Sequence, residues 1–203
     1  MTGGLHVLGV TGSIAAGKSA LAEFLAARGA EVIRLDEVGH AILAESETAA
    51  WLKETFSSGV VRIMDGSVSR AKLAELVFND PRELARLEAK LHPEMCRRVR
   101  ARVAAAREEG KGGTVVIEGA LLYEMGLAAD CDRVLVVDAL ADAREARARA
   151  RHGWPAGEMA RREARMESLD EKKRRADGVI ENTGDERELA EELDQRLEEW
   201  QWQ

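Results

Sequence analysis

The chain has 203 residues, 45% of them hydrophobic and 33% charged, with a formal net charge of −7 at pH 7. That length suits one compact domain with its own core, the negative balance argues against a general nucleic-acid surface, and no apolar stretch approaches the roughly 20 residues that cross a bilayer. Cys96 and Cys131 lie far apart and neither belongs to a C-x-x-C pair, so neither a disulfide framework nor a zinc site is indicated.

Leu5 to Val10 is a short apolar run that reads as a buried parallel strand. It leads into a glycine-rich octet rather than a signal-type cleavage site, so a cytoplasmic location is expected. Helical spacing follows from Ala20 to Ala27, with Gly29 as its C-terminal cap, and Glu31 to Leu35 reads as a second strand ending at Asp36. The stretches Asp36–Ala44 and Glu47–Phe56 read as helices, Asp65-Gly66 as a turn, and Ser69 as the cap of a helix through Val77. Asp80-Pro81 opens a helix to about Leu91, and Pro93 is expected to break or kink it before a further helix reaches about Glu109.

Lys111 to Gly113 reads as a loop, and Thr114–Glu118 and Arg133–Val137 as strands covered on both faces. An arginine-rich helix is expected from about Asp142 to Arg151, another from near Pro155, a short strand at Gly178–Ile180 and a terminal helix from about Asp185. Alternating strands and helices of this kind predict an α/β fold, a doubly wound parallel sheet of about five strands whose ligand lies at their carboxyl ends.

The octet Gly12 to Ser19, G-S-I-A-A-G-K-S, matches the phosphate-binding loop G-x-x-x-x-G-K-[ST] in full, between a strand and a helix as that loop requires. Its backbone N–H groups line an anion-binding concavity, to which the helix adds its positive dipole end. Gly12 and Gly17 permit backbone conformations and close approach that a side chain would block. Lys18 reaches the β- and γ-phosphates, and the Ser19 hydroxyl is a Mg²⁺ ligand. The full nucleotide-binding set is Gly12, Ser13, Ile14, Ala15, Ala16, Gly17, Lys18, Ser19 and Ala20. With no N-K-x-D guanine-reading motif and no long ATPase-type strand, the chain points to transfer of a phosphoryl group to a small acceptor, and the arginine-rich stretch 144–175 suits a kinase lid.

Several ordered segments resemble the dephospho-CoA kinase family: the loop itself, V-I-R-L-D-E-V-G-H from Val32 to His40, L-H-P from Leu91 to Pro93, I-E-G-A-L-L-Y-E from Ile117 to Glu124, D-R-V-L-V-V-D-A from Asp132 to Ala139, and A-D-G-V-I-E-N-T-G from Ala176 to Gly184. The resemblance implies a nucleotide-kinase-like fold with a sheet core (about 1–35, 114–140 and 176–203), a helical acceptor region (about 36–110) and a lid (about 141–175). It also implies ATP and dephospho-CoA as substrates, with Mg²⁺ as the metal; from charge and hydropathy no nucleic-acid or membrane partner is expected, and a monomer or small homo-oligomer is expected. Two other functions fit the residues as read: a kinase of a different nucleoside, nucleotide or small hydroxyl compound, and a non-catalytic ATP-binding sensor.

Asp36 is the candidate base, since phosphoryl transfer to a hydroxyl needs a carboxylate to accept its proton, although an Asp there also suits a helix cap. The family's catalytic aspartate falls at this position. Arg147 and Arg151 lie four apart and share a helix face that could neutralise charge on transferring phosphates, while an arginine-rich stretch is most often a solvated face. His92, and less so His40, become acceptor-binding candidates through the resemblance. Without it His92-Pro93 is a helix break. Glu118 either orients magnesium waters or the acceptor, or caps the following helix. Departures from the family are Ser13 and Ala15 for glycines, Ala20 for Thr, Arg34 for a second Asp, Ala120 for Pro, and Arg165 for Gln.

Overall fold

The computed structural model describes residues 4–56, 59–62, 67–110 and 112–202. The turn expected at Asp65-Gly66 and the first residue of the expected 111–113 loop lie outside them. The chain divides into two compact units, one of Met1–Arg34 with Arg100–Gln203 and one of Leu35–Val99.

The first unit is built on five strands, β1 (Leu5–Gly12), β2 (Glu31–Arg34), β3 (Gly113–Glu118), β4 (Arg133–Asp138) and β5 (Gly178–Glu181), in the order β2-β3-β1-β4-β5. Every neighbouring pair is parallel, with Val10 level with Glu118 on one side of β1 and Gly12 level with Val137 on the other. Val7, Leu8 and Val10 are fully buried because β1 is central, which explains why its apolar residues are not confined to alternate positions. Helices α1 (Lys18–Ala27) and α9 (Glu186–Glu199) pack Leu21, Leu25, Leu189 and Leu193 against Leu8, Val116, Leu135 and Ile180 of the sheet. Each such fully buried side chain contributes about 1.5–3 kcal/mol.

Local chemistry sets the helix ends. Gly29 at φ +91 lets Ala30 N–H return to the Leu25 carbonyl, closing α1, and the Asp185 carboxylate accepts the Arg187 and Glu188 N–H groups to open α9. Trp200 and Trp202, for which the sequence suggested no function, pack against this core, and Trp202 stacks on His6 with ring centroids 4.4 Å apart. Between β4 and β5 lie α6 (Ala141–His152), α7 (Glu158–Glu163) and α8 (Leu169–Arg175).

The second unit contains α2 (Leu35–Leu43), α3 (Ser46–Thr55) and α4 (Arg70–Asn79), and α5 (Pro81–Glu109) begins in it. Here one expectation fails: α5 passes through Pro93 without interruption. Leu87, Leu91, Met95 and Val99 are buried at four-residue intervals, so the apolar seam keeps its phase across Pro93 and outweighs the one backbone hydrogen bond that proline removes. Gly39 of α2 sits against Met95, where an added Cβ would come 3.4 Å from Met95 Cε. Ser69 stands at the start of α4 as expected, but its side chain makes no capping hydrogen bond. No helix among the described residues is long and apolar enough to cross a membrane.

Candidate active site

The phosphate loop leaves the carboxyl end of the central strand, where the sheet order places neighbours on both sides and where ligands of such sheets bind. Its two glycines are required by space. Gly12 has φ +134, and a Cβ there would lie 2.0 Å from the Val137 carbonyl oxygen; Gly17 has φ +113, and its Cβ would meet Asn182 Nδ2 at 2.3 Å. Ala15 also takes a positive φ, +56, at a position where the family usually has glycine, a conformation that costs roughly 1–2 kcal/mol for an L-residue. α1 begins at Lys18, two residues earlier than its apolar spacing suggested, so Lys18, Ser19 and Ala20 form the first turn.

Lys18 is 9% exposed, and its ammonium donates to the Ser13 carbonyl at 2.8 Å and the Gly12 carbonyl at 3.4 Å. The loop's far side is held by Asn182, whose Nδ2 donates to the Ala16 carbonyl at 2.7 Å. Sequence reasoning gave Asn182 no role although it belongs to one of the resembling segments, because the contact joins residues 166 apart. Ser19 offers one hard oxygen from the first turn of α1. That donor set fits Mg²⁺, which takes one or two protein ligands and completes its shell with phosphate and water oxygens.

The segment from α6 to α8 brings charge to this loop. Arg147 donates from Nη1 to the Ala15 carbonyl at 3.3 Å, whereas Arg151, one turn further along α6, is exposed and makes no such contact with the loop. Arg144, which the sequence reading did not single out, reaches further: it donates to the Ala139 carbonyl at 3.1 Å, to the Ile14 carbonyl at 3.4 Å and to Glu163 Oε1 at 2.5 Å. Glu163 in turn accepts the Ile14 N–H at 2.9 Å. A cavity of about 200 Å³ opens here, lined by Gly12, Ser13, Arg144, Glu163 and Lys172 among others.

Lys172 is 1% exposed and was also missed. Its ammonium donates to the Ala120 carbonyl at 2.6 Å and pairs with Glu124 at 2.9 Å. Helix α8, which carries it, had no counterpart in the sequence reading, yet S-x-x-E from Ser168 to Glu171 marks its start, and Ser168 Oγ accepts the Glu171 N–H at 3.2 Å. Lys173 donates to Asp138 at 2.6 Å, which raises the ammonium pKa above its ordinary value. Glu118 closes β3 and is 8% exposed, level with Val10 and Arg34 in the sheet. Arg34, in place of the family's first aspartate, pairs with Glu23. Leu122 is wholly buried, and Cys131, held largely out of water, has its thiol pKa pushed up to about 12, which keeps it protonated and inert.

In the second unit, Asp36 occupies the first turn of α2 with its side chain exposed, and it is the second residue of that helix rather than its cap. His40 is exposed near the end of α2, and His92 is half-buried on α5. Arg98 pairs with Glu45 at 2.6 Å and with Glu94 at 2.7 Å; hydrogen bonds from Arg97 and then Arg98 hold the Glu94 carboxyl at about 2.

The family model described as dephospho-CoA kinase matches residues 6–188. The chain belongs to the dephospho-CoA kinase family. A Deinococcus radiodurans dephospho-CoA kinase is 42% identical over 190 residues, covering 94% of this chain and 90% of that protein. A Thermus thermophilus protein of solved structure superposes with a TM-score of 0.78 at 34% identity, over 97% of this chain and 98% of that one. A Campylobacter jejuni dephospho-CoA kinase has a TM-score of 0.64 at 24% identity, over 96% and 97% of the two chains, and shows the shared fold. The protein is therefore a phosphotransferase of the phosphate-loop kinase fold, and its place is the final step of coenzyme A synthesis.

Proposed function

We propose that the chain moves the γ-phosphoryl group of ATP to the ribose 3′-hydroxyl of dephospho-CoA, in the cytoplasm, as a monomer or small homo-oligomer. The bond from the γ-phosphorus to the β,γ-bridging oxygen breaks, a bond to the 3′-oxygen forms, and the hydroxyl proton passes to the Asp36 carboxylate, leaving coenzyme A and ADP. Lys18 and the loop amides hold the β- and γ-phosphates, and Arg147 and Arg151 neutralise charge as it spreads over the transferring group. Mg²⁺ at Ser19 would offset phosphate charge when bound. His40, His92 and Glu118 are assigned to the acceptor. In this reading residues 36–110 hold the acceptor and 141–175 form the lid.

What carries the proposal is the loop: a complete phosphate-binding octet at the carboxyl end of the central strand, with a buried lysine folded into it. The test is to incubate the protein with ATP, Mg²⁺ and dephospho-CoA and follow coenzyme A and ADP by chromatography, with Asp36→Asn in parallel. Coenzyme A should form in step with ADP, and the mutant should lose about 10²–10⁴ of the rate, the usual contribution of a positioned base. ADP without coenzyme A would refute the acceptor, and an unimpaired mutant would refute the base.

A further inference from the structure

The phosphate loop carries a carboxylate from its own chain. Glu163 Oε1 accepts the Ile14 N–H at 2.9 Å, and the same oxygen accepts Arg144 Nη1 at 2.5 Å. An anionic oxygen set between a loop amide and a guanidinium reproduces, with a side chain, the bonding a phosphate oxygen receives in such a loop. We propose that Glu163 is a built-in competitor for the polyphosphate, and that Arg144 is a further phosphate-binding residue, handed from the carboxylate to the ligand as the ligand enters. This rests on the reading of the loop as the ATP site.

The two side chains are not equally anchored. Arg144 is 11% exposed and tied by two further hydrogen bonds, to the Ala139 carbonyl just beyond β4 and to the Ile14 carbonyl of the loop. Glu163 is 25% exposed and ends α7, a helix of six residues. One N–H cannot serve both the carboxylate and a phosphate oxygen, so one of them must leave. Glu163 has the shorter path to water. Its departure would strand the Arg144 charge in a nearly buried setting, which is costly unless another anion takes its place. The phosphate is that anion, and the exchange trades one charge-assisted contact for another. Apparent polyphosphate affinity is then scaled down to the fraction of molecules whose Glu163 is off the loop.

The test is calorimetric titration with ATP and, separately, with inorganic tripolyphosphate, without acceptor. Glu163→Gln keeps the shape but removes the charge, and should bind both about fivefold more tightly; Arg144→Met should bind both about tenfold more weakly, the effect of one charged hydrogen bond. Arg144→Met should also cost about tenfold in the Glu163→Gln background, because its partner is then the ligand. A double variant that binds like Glu163→Gln alone would overturn the role of Arg144, and unchanged or weaker binding by Glu163→Gln would overturn the competitor. The wild-type protein supplies a check free of folding effects: the Glu163 carboxyl carbon resonance should shift on adding tripolyphosphate, and its failure to move at saturation would overturn the exchange. Wild-type protein that binds neither ligand would refute the ATP-site reading itself, an outcome distinct from the others.

Discussion

The phosphate loop and the α6–α8 segment bonded to it line one cavity and both carry charge, but they are specified in different ways. In the loop the residue type follows from backbone conformation: Gly12 and Gly17 have no room for a Cβ. In the α6–α8 segment the side chains carry the charge, and many residues of one type compete for the same description. Arg161 pairs with Glu158, Arg174 with Glu171 and Arg175 with Glu167, all largely at the surface, while Arg144 and Lys172 are drawn inward by Glu163 and Glu124. A motif is legible where geometry restricts residue type; a charge cluster becomes legible only when each charge has been given its partner.

That contrast can be broken most sharply at Lys18. Lys18→Ala should lower kcat by about 10³, the loss typical of removing a preorganised group from developing charge, whereas Arg161→Ala should leave turnover within about twofold. Comparable losses in the two variants, measured in the ATP and dephospho-CoA assay, would erase the distinction. Next comes Gly12→Ala, which puts a methyl against the Val137 carbonyl at an unfavourable φ and should destabilise the fold by more than about 3 kcal/mol in urea unfolding. Stability within about 1 kcal/mol of wild type would mean that the loop backbone adapts after all.

Within the α6–α8 segment, Lys172→Met should cost about 3 kcal/mol by leaving Glu124 and the Ala120 carbonyl without their cation, against at most about 0.5 kcal/mol for Arg174→Ala at the surface. Equal costs would show that burial does not sort these charges. The smallest effect belongs to Lys173. Its pKa is raised in the folded state by Asp138, so the pair stabilises fully below the unfolded lysine value near about 10.4 and is lost as pH rises through the higher folded value. Melting curves of wild type and Lys173→Met should therefore differ by at most about 1 kcal/mol from neutral pH to about pH 10 and converge above it. A gap that persists at higher pH would assign the difference to packing.

Much of the fold was readable because the inner strands β1, β3 and β4 are rich in apolar residues on both faces and the edge strands are short and bounded by turn residues, so all five strands were placed to within two residues. Pro93 misled because proline's local penalty is visible in sequence whereas the seam Leu87, Leu91, Met95 and Val99 that overrides it acts only once packed. Helix α8 was overlooked despite its S-x-x-E start, since a polar seven-residue helix has little apolar period to detect. Of the site, the octet, the likeness of Asp36 and His92 to family positions and the shared helix face of Arg147 and Arg151 were available in advance. Asn182, Arg144, Glu163 and Lys172 were not, because each acts through a partner distant in sequence.

The amino-acid sequence by itself determined the parallel sheet, the loop that follows its first strand and the family to which the chain belongs, because each depends on short-range pattern: apolar runs, glycines where a side chain has no room, a lysine and a serine at set spacing. Only the tertiary structure decided which charges meet. Arg144 on Glu163 over the Ile14 N–H, and Lys172 between Ala120 and Glu124, result from chain crossings that bring distant segments within hydrogen-bond reach, and in a low-dielectric setting it is the partner and the burial that determine what a charge does.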